Sequence, residues 1–176
     1  GKRDGDMDTT HQVQQELLAA CDEHGRRFSY PVLRDAVLKN GYFLGVVAVI
    51  ENDQHQVLIT RRAAGKSDGG HWECPGGMVK FHESSLDAVQ RELKEELGIL
   101  VNSETCLSVR SVFHQSRKIS LFHIRFNGSI YELVLQSEEV TEACWASVNE
   151  IDELMRTGQF IACSVLTSDL LKEILS

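Results

Sequence analysis

No two cysteines of this chain stand in a Cys-x-x-Cys pair. Five are present (Cys21, Cys74, Cys106, Cys144 and Cys163), an odd number spread along 176 residues. That spacing indicates neither a zinc site nor a disulfide framework, and it predicts free, buried thiols in a reducing compartment. Long apolar runs are missing too: none reaches the ~18 residues of a membrane span, and no signal-peptide pattern is visible. A cytoplasmic protein with no membrane partner is therefore expected. Basic residues are in short supply, with 18 Lys and Arg against 26 Asp and Glu and a net charge of −8. An extended nucleic-acid backbone, which needs clustered Lys and Arg, is not an expected partner. Internal repeats and low-complexity linkers are absent as well. A single domain with room for a substantial core remains.

Periodicity supplies the elements. Thr9 or Thr10 is placed to cap a helix running to about Glu23, with Val13, Leu17, Leu18 and Cys21 on one side and Gly25 ending it. Pro31 would open a second short helix through Val32, Ala36 and Val37, closed by Asn40-Gly41. Leu44 to Ile50 is apolar and β-branched like a buried strand. Asn52-Asp53-Gln54 turns the chain, and Gln56 to Arg61 returns beside it. Later strands are predicted at Leu107 to His114, Ile119 to Phe126, Ser129 to Leu135 and Val140 to Ala146. Two short helices follow, capped by Asn149 and by Ser164.

One segment carries the chemistry. Arg91-Glu92-Leu93-Lys94-Glu95-Glu96-Leu97-Gly98 reads as helix, and at about 100° per residue Glu92, Glu95 and Glu96 share one narrow arc. Leu86, Val89, Leu93 and Leu97 form the apolar stripe that fixes this helix to a core. The helix begins at Ser84 or Ser85, and Gly98 stands where a left-handed cap ends it. Three carboxylates on one face repel one another unless a cation sits among them. Hard divalent ions such as Mg²⁺ prefer such oxygen ligands and share them with substrate phosphates. Glu83 and Arg91 bracket the junction into the helix as an ion pair. Arg61 and Arg62 end a strand facing it, where a guanidinium meets a phosphate well.

Gly77, Glu83, Arg91, Glu92, Leu93, Glu95, Glu96, Gly98 and Ile99 meet every position of the Nudix box: Gly, five residues, Glu, seven residues, Arg-Glu-apolar-x-Glu-Glu-x-Gly-apolar. The chain thus resembles the Nudix hydrolases. Val57-Leu58-Ile59-Thr60-Arg61-Arg62, the run Trp72-Glu73-Cys74-Pro75-Gly76-Gly77 and Glu142-x-x-Trp145 extend the likeness. The resemblance implies an α/β (α+β) fold, an α/β/α sandwich with a mixed sheet over residues 43–176, preceded by an N-terminal helical extension over 1–42. It also implies Mg²⁺-dependent, or Mn²⁺-dependent, hydrolysis of a nucleoside diphosphate linked to another group. On that pattern the metal ligands are Glu92, Glu95, Glu96 and the Gly76 carbonyl. Arg91 orients the glutamates, Glu83 holds Arg91, and Gly77 and Gly98 shape the loop and the helix end. The general base is one of the box glutamates or a glutamate outside it. Glu138, Glu139 and Glu142 are the outside candidates, with Glu142 favoured by its distance from Trp145. Gly77, Arg61 and Arg62 are expected to meet substrate.

Substrate signatures speak mostly by absence. With prolines only at 31 and 75, the one typical of ADP-ribose hydrolases downstream of the box is missing. Phe113-His114-Gln115-Ser116 stands where dinucleoside polyphosphate hydrolases tend to carry a tyrosine. What remains is most like the MutT-like group, which splits nucleoside triphosphates, often oxidised guanine nucleotides, to monophosphate and pyrophosphate. Cys74 and Met78 depart from that group's usual residues. Hydrolysis of ADP-ribose or a nucleotide sugar is the alternative reaction, and a nucleotide-sensing module without catalysis is the alternative class. A structural role for residues 9 to 39, in a homodimer or in binding another partner, is a third reading and is compatible with the hydrolase.

Overall fold

The computed structural model describes residues 15–161 and 164–175. In chain order its strands are β1 (Leu17–Leu18), β2 (Ala20–Asp22), β3 (Val32–Leu33), β4 (Gly41–Glu51), β5 (Val57–Arg62), β6 (Trp72–Glu73), β7 (Gly76–Met78), β8 (Cys106–His114), β9 (Arg117–Arg125) and β10 (Val140–Ala146). The helices are α1 (Ser85–Leu97), α2 (Val148–Arg156) and α3 (Ser168–Leu175).

β4 organises the molecule. It runs parallel to β9 from Phe43↔Arg117 to Glu51↔Arg125, and antiparallel to β2 and β7. The main sheet has the order β10-β5-β4-β9-β8, with β2, β6 and β7 joined along its length. Both faces of β4 are apolar because both are covered. Val46, Ala48 and Ile50 pack with Ala88, Val89, Leu93 and Leu97 of α1. Val49 points the other way, into a cluster with Ile151 of α2 and Leu171 and Ile174 of α3. The two-residue side-chain period of a strand thus feeds two separate cores. The layers form the expected α/β/α sandwich with a mixed sheet. No helix among the described residues is long and apolar enough to cross a membrane.

Several expected elements differ. Residues 15–39 carry strands and turns where helices were predicted. The Thr9 or Thr10 cap and Val13 lie outside the described residues. Leu18, Ala19, Ala20 and Cys21 are all buried, so the run is apolar on both sides. Such a short continuous run does not distinguish helix from strand by periodicity. Here it pairs, with β2 beside β4 (Ala20↔Phe43 to Asp22↔Gly41) and β1 beside β3 (Leu17↔Leu33, Leu18↔Val32). The strand expected at Ser129 to Leu135 contains only a 3₁₀ turn at Ile130–Glu132. Just beyond that turn, amides serve the end of α1 instead of a ladder: Val134 N donates to Leu97 O and Gln136 N to Glu96 O, both at 3.0 Å. α2 is capped by Ser147, whose hydroxyl accepts from Glu150 N at 3.1 Å, two residues before the expected Asn149. α3 starts after Thr167, whose hydroxyl accepts from Leu170 N at 3.1 Å. Cys21 and Cys74 are buried, Cys106 and Cys144 partly so, and all four are free thiols; Cys163 lies outside the described residues.

Candidate active site

α1 is fixed at both ends before it presents any carboxylate. Ser84 caps it: its hydroxyl accepts from Asp87 N at 3.0 Å, and the Asp87 carboxylate accepts from Ser84 N at 3.1 Å. Gly98 closes it at φ 69°, a left-handed turn that glycine adopts without strain. With Val89, Leu93 and Leu97 fully buried, the helix cannot rotate, and Arg91, Glu92, Glu95 and Glu96 are turned to a common cleft.

Arg91 ties that face together. Its Nε donates to Glu83 Oε2 at 2.6 Å and its Nη2 to Glu83 Oε1 at 2.9 Å, a two-pronged grip suited to a planar guanidinium. Nη1 donates to Glu92 Oε1 at 2.8 Å, and Nη2 also reaches the Met78 carbonyl at 3.0 Å. Glu95 is looser, 3.6 Å from Nη1 with about half of its side chain exposed. Burial alone would push the Glu83 carboxyl up, but the Arg91 hydrogen bond, the Lys80 amide and the charges of both residues pull it below its ordinary value.

Glu96 is held in the opposite sense. Burial raises its proton affinity first, then the charge and hydrogen bond of Glu92, then Glu73, with Lys66 only partly offsetting them. Glu73 itself is raised by burial despite the Arg62 guanidinium beside it, whose Nη1 donates to Glu73 Oε1 at 3.0 Å. Among the described residues no three His, Cys, Asp or Glu side chains stand ready around one point for a metal. Arg91 explains this: it lies between the Glu92 and Glu95 carboxylates and engages both.

The glycines of β7 allow the close packing. A Cβ on Gly76 would run into the Val46 carbonyl, and one on Gly77 into the Glu92 carboxylate. The cleft they border has a volume of about 400 Å³ and is lined mainly by charged side chains, with no aromatic ring among them.

The structure gathers most of the residues singled out in the sequence. Gly76, Gly77, Arg62, Arg91, Glu92, Glu95 and Glu96 line the cleft. Glu83 stands behind it, gripping Arg91, and Gly98 ends the helix. Arg61 and Glu142 do not line it. They pair across β5 and β10, Arg61 Nη1 to Glu142 Oε1 at 3.3 Å, and Arg61 lies over the Trp72 ring. Of the outside glutamates it is Glu139 that borders the cleft, paired with Lys66. Sequence reasoning missed Lys66 and Glu73, together with Glu16, Arg34, Lys80 and Arg117. Glu73 carried a usable signal, since it lies three residues before Gly76 on the run into the box. Lys80 lies within the box itself, among the five unspecified residues between Gly77 and Glu83, whereas Glu16, Arg34, Lys66 and Arg117 lie outside it and only the fold brings them to the cleft.

Residues 41–162 match the family model described as the NUDIX domain. The sequence is similar to an RNA pyrophosphohydrolase of Ruthia magnifica subsp. Calyptogena magnifica, 48% identical over 59 residues, which span 34% of this chain and 31% of that one. It is similar to the CTP pyrophosphohydrolase of Escherichia coli (strain K12), 34% identical over 108 residues, 60% of this chain and 76% of that one. The crystal structure of DR0079 from Deinococcus radiodurans shares the fold, with a TM-score of 0.64 at 20% identity over 91% of this chain and 96% of that chain. With its complete box on α1 and the matching fold around it, the chain belongs to the NUDIX family.

Proposed function

We propose that the chain is a magnesium-dependent pyrophosphohydrolase that splits a nucleoside triphosphate, oxidised bases included, to the monophosphate and pyrophosphate. Residues 43–176 are the catalytic unit in this reading, and 1–42 an accessory segment. The observation that carries it is Glu96, half-buried and hydrogen-bonded beside Glu92 in a cleft where Arg91 pins the Glu92 carboxylate. Glu92, Glu95, Glu96 and the Gly76 carbonyl are all hard oxygen donors, and a carboxylate crowded by another is short of positive charge. This donor set fits Mg²⁺, or Mn²⁺ in its stead. Bound there, a divalent ion supplies neutralisation of phosphate oxygens and acidification of water.

The chain's own groups do the rest. Arg91 sets the direction of the Glu92 carboxylate, and Glu83 keeps Arg91 in its plane. Glu95, exposed and loosely tied, serves as the base and takes one proton from the attacking water. The water oxygen bonds to a phosphorus of the anhydride as that phosphorus parts from its bridging oxygen, and the electron pair leaves on that oxygen. Arg62, anchored by Glu73 and the Ser67 carbonyl, meets a substrate phosphate.

The test is release of phosphate and pyrophosphate, with and without Mg²⁺, from canonical and oxidised nucleoside triphosphates, ADP-ribose, nucleotide sugars, dinucleoside polyphosphates and coenzyme A. Cation-dependent turnover of triphosphates that is lost in Glu95→Gln is the expected result. Preference for ADP-ribose or a nucleotide sugar would replace the substrate while keeping the reaction. Nucleotide binding without turnover of anything would overturn the hydrolase in favour of a sensor.

A further inference from the structure

Arg117, at the start of β9, has no carboxylate partner among the described residues, although the chain carries more acid than base. Its position follows from register. Phe43 pairs with Arg117 and Gly45 with Ile119, so Arg117 and Ile119 share a sheet face, and both line the cleft. Two further cations join them there, Arg34 and Lys80. Arg34 comes from the segment before the matched family domain, where Nη2 donates to Glu16 Oε2 at 2.9 Å. That segment is stitched to the stretch of the box just after β7: Ala19 N donates to Val79 O and Phe81 N to Leu17 O, both at 2.9 Å, and Leu18 bridges to Lys80. Glu16 thus feels Arg34, Lys80 and Arg91 together. The remaining cleft cations are engaged otherwise: Arg62 with Glu73, Lys66 with Glu139, Arg91 with Glu83 and Glu92.

We infer that Arg34, Lys80 and Arg117 form a binding surface for the terminal phosphate of the substrate, so that residues 15–34 are a wall of the cleft and the enzyme selects by phosphate number more than by base. The inference rests on the proposed triphosphate hydrolysis and deepens it. Arg34 and Arg117 bring guanidiniums, whose forked donors suit phosphate oxygens, and Lys80 a point charge. Base selection by ring stacking has no counterpart among the described residues of the cleft, since none of those lining it is aromatic. Glu16 holds Arg34 in place and yields to a phosphate, whose charge is greater. A competing reading makes Glu16–Arg34 a plain surface pair that fastens the segment; such exposed pairs contribute little.

The experiment is a comparison of Arg34→Ala/Arg117→Ala and Arg34→Lys with the unaltered chain on ATP and ADP, GTP and GDP, CTP and CDP. In the double variant KM for triphosphates should rise about tenfold or more while kcat moves less than about threefold, and KM for diphosphates should hardly change. Arg34→Lys should recover part of the loss. Among the triphosphates, KM should differ between bases by less than the tri-to-diphosphate difference. Equal effects on tri- and diphosphates, or a base preference larger than the phosphate preference, would overturn the inference. Calorimetry of inorganic tripolyphosphate and pyrophosphate with the Glu95→Gln chain keeps the two proposals separable. If no nucleotide is turned over, tripolyphosphate affinity weakened about tenfold by the added double substitution still supports the surface. Unchanged affinity removes it. Thermal melts of each variant distinguish lost binding from a loosened segment.

Discussion

Gly77 and Glu92 are packed so closely that a Cβ on the glycine would stand 2.5 Å from the glutamate's carboxyl carbon. The carboxylate that Arg91 aims is therefore also aimed by the bare backbone of β7. Gly77→Ala must push Glu92 off its bond to Arg91, since the helix beneath cannot yield. If Glu92 holds the cation as proposed above, hydrolysis should fall by the ~10–100-fold typical of lost support around a metal ligand. Folding should survive, because the clash ends on a side chain; kcat, cation titration and a thermal melt on one preparation check this.

Arg91 makes four hydrogen bonds to Glu83, Glu92 and the Met78 carbonyl. Lysine keeps the charge but cannot reproduce the fork. Arg91→Lys should lower kcat by about 10–100-fold. Glu83→Gln keeps the side chain's size but removes the charge and turns one acceptor into a donor, so one prong of the grip on Arg91 is lost and kcat should fall as well. An Arg91→Lys enzyme with unchanged kcat and unchanged cation requirement would contradict the positioning role.

Burial and then Glu92 raise the proton affinity of Glu96. A carboxyl raised on folding contributes stability below its unfolded value, and that contribution fades as pH climbs through the folded one. The cation-free protein should therefore lose stability from this group as pH rises from acid to alkaline. Glu96→Gln should flatten that trend and raise the melting temperature at pH 8 without cation. Because cation binding requires the deprotonated carboxylate, Mg²⁺ affinity should increase with pH in the unaltered chain. Melting curves across pH, with and without Mg²⁺, read both effects.

Glu51 titrates in the other direction. Burial pushes its carboxyl up, but hydrogen bonds to His55 and His123, with charge from His123 and Arg125, bring it below its ordinary 4.5. Its Oε1 is 2.7 Å from His123 Nε2 and its Oε2 2.8 Å from His55 Nδ1. The stability it adds is present above the ordinary value and is lost as pH falls through the depressed one. Glu51→Gln should cost about 1.5–3 kcal/mol at neutral pH, the worth of a charge-assisted hydrogen bond, and weaken the acid limb of the stability profile. Urea titrations at pH 3 to 8 test it.

The box was legible because its chemistry is local. A capped helix, an apolar stripe and three carboxylates on one arc all follow from consecutive residues, and α1 spans Ser85–Leu97 as expected. β10 likewise matches its predicted bounds. Leu18 to Cys21 failed because a run buried on both sides carries no alternation. Ser129 to Leu135 failed because its amides close a 3₁₀ turn and, at Val134, serve the end of α1, a tertiary demand that no local pattern records. In the cleft, Arg62 was readable from its strand end, whereas its neighbour Arg61 points to Glu142 on β10. Arg117 became visible only through register, since pairing across distant strands decides which side chains share a face, and Arg34 only once its segment was seen to lie along the cleft.

The parallel pairing of β4 with β9 bears on how the chain is made. β4 leaves the ribosome as an apolar strand with two adhesive edges, and its β9 neighbour begins only at Arg117. Meanwhile β7 and α1 are synthesised and can cover one face first. The long interval between β4 and β9 makes their union a slow, late event. Until then the open edge invites pairing with other chains. Truncations ending before Arg125 leave that edge of β4 unpaired and should aggregate instead of folding.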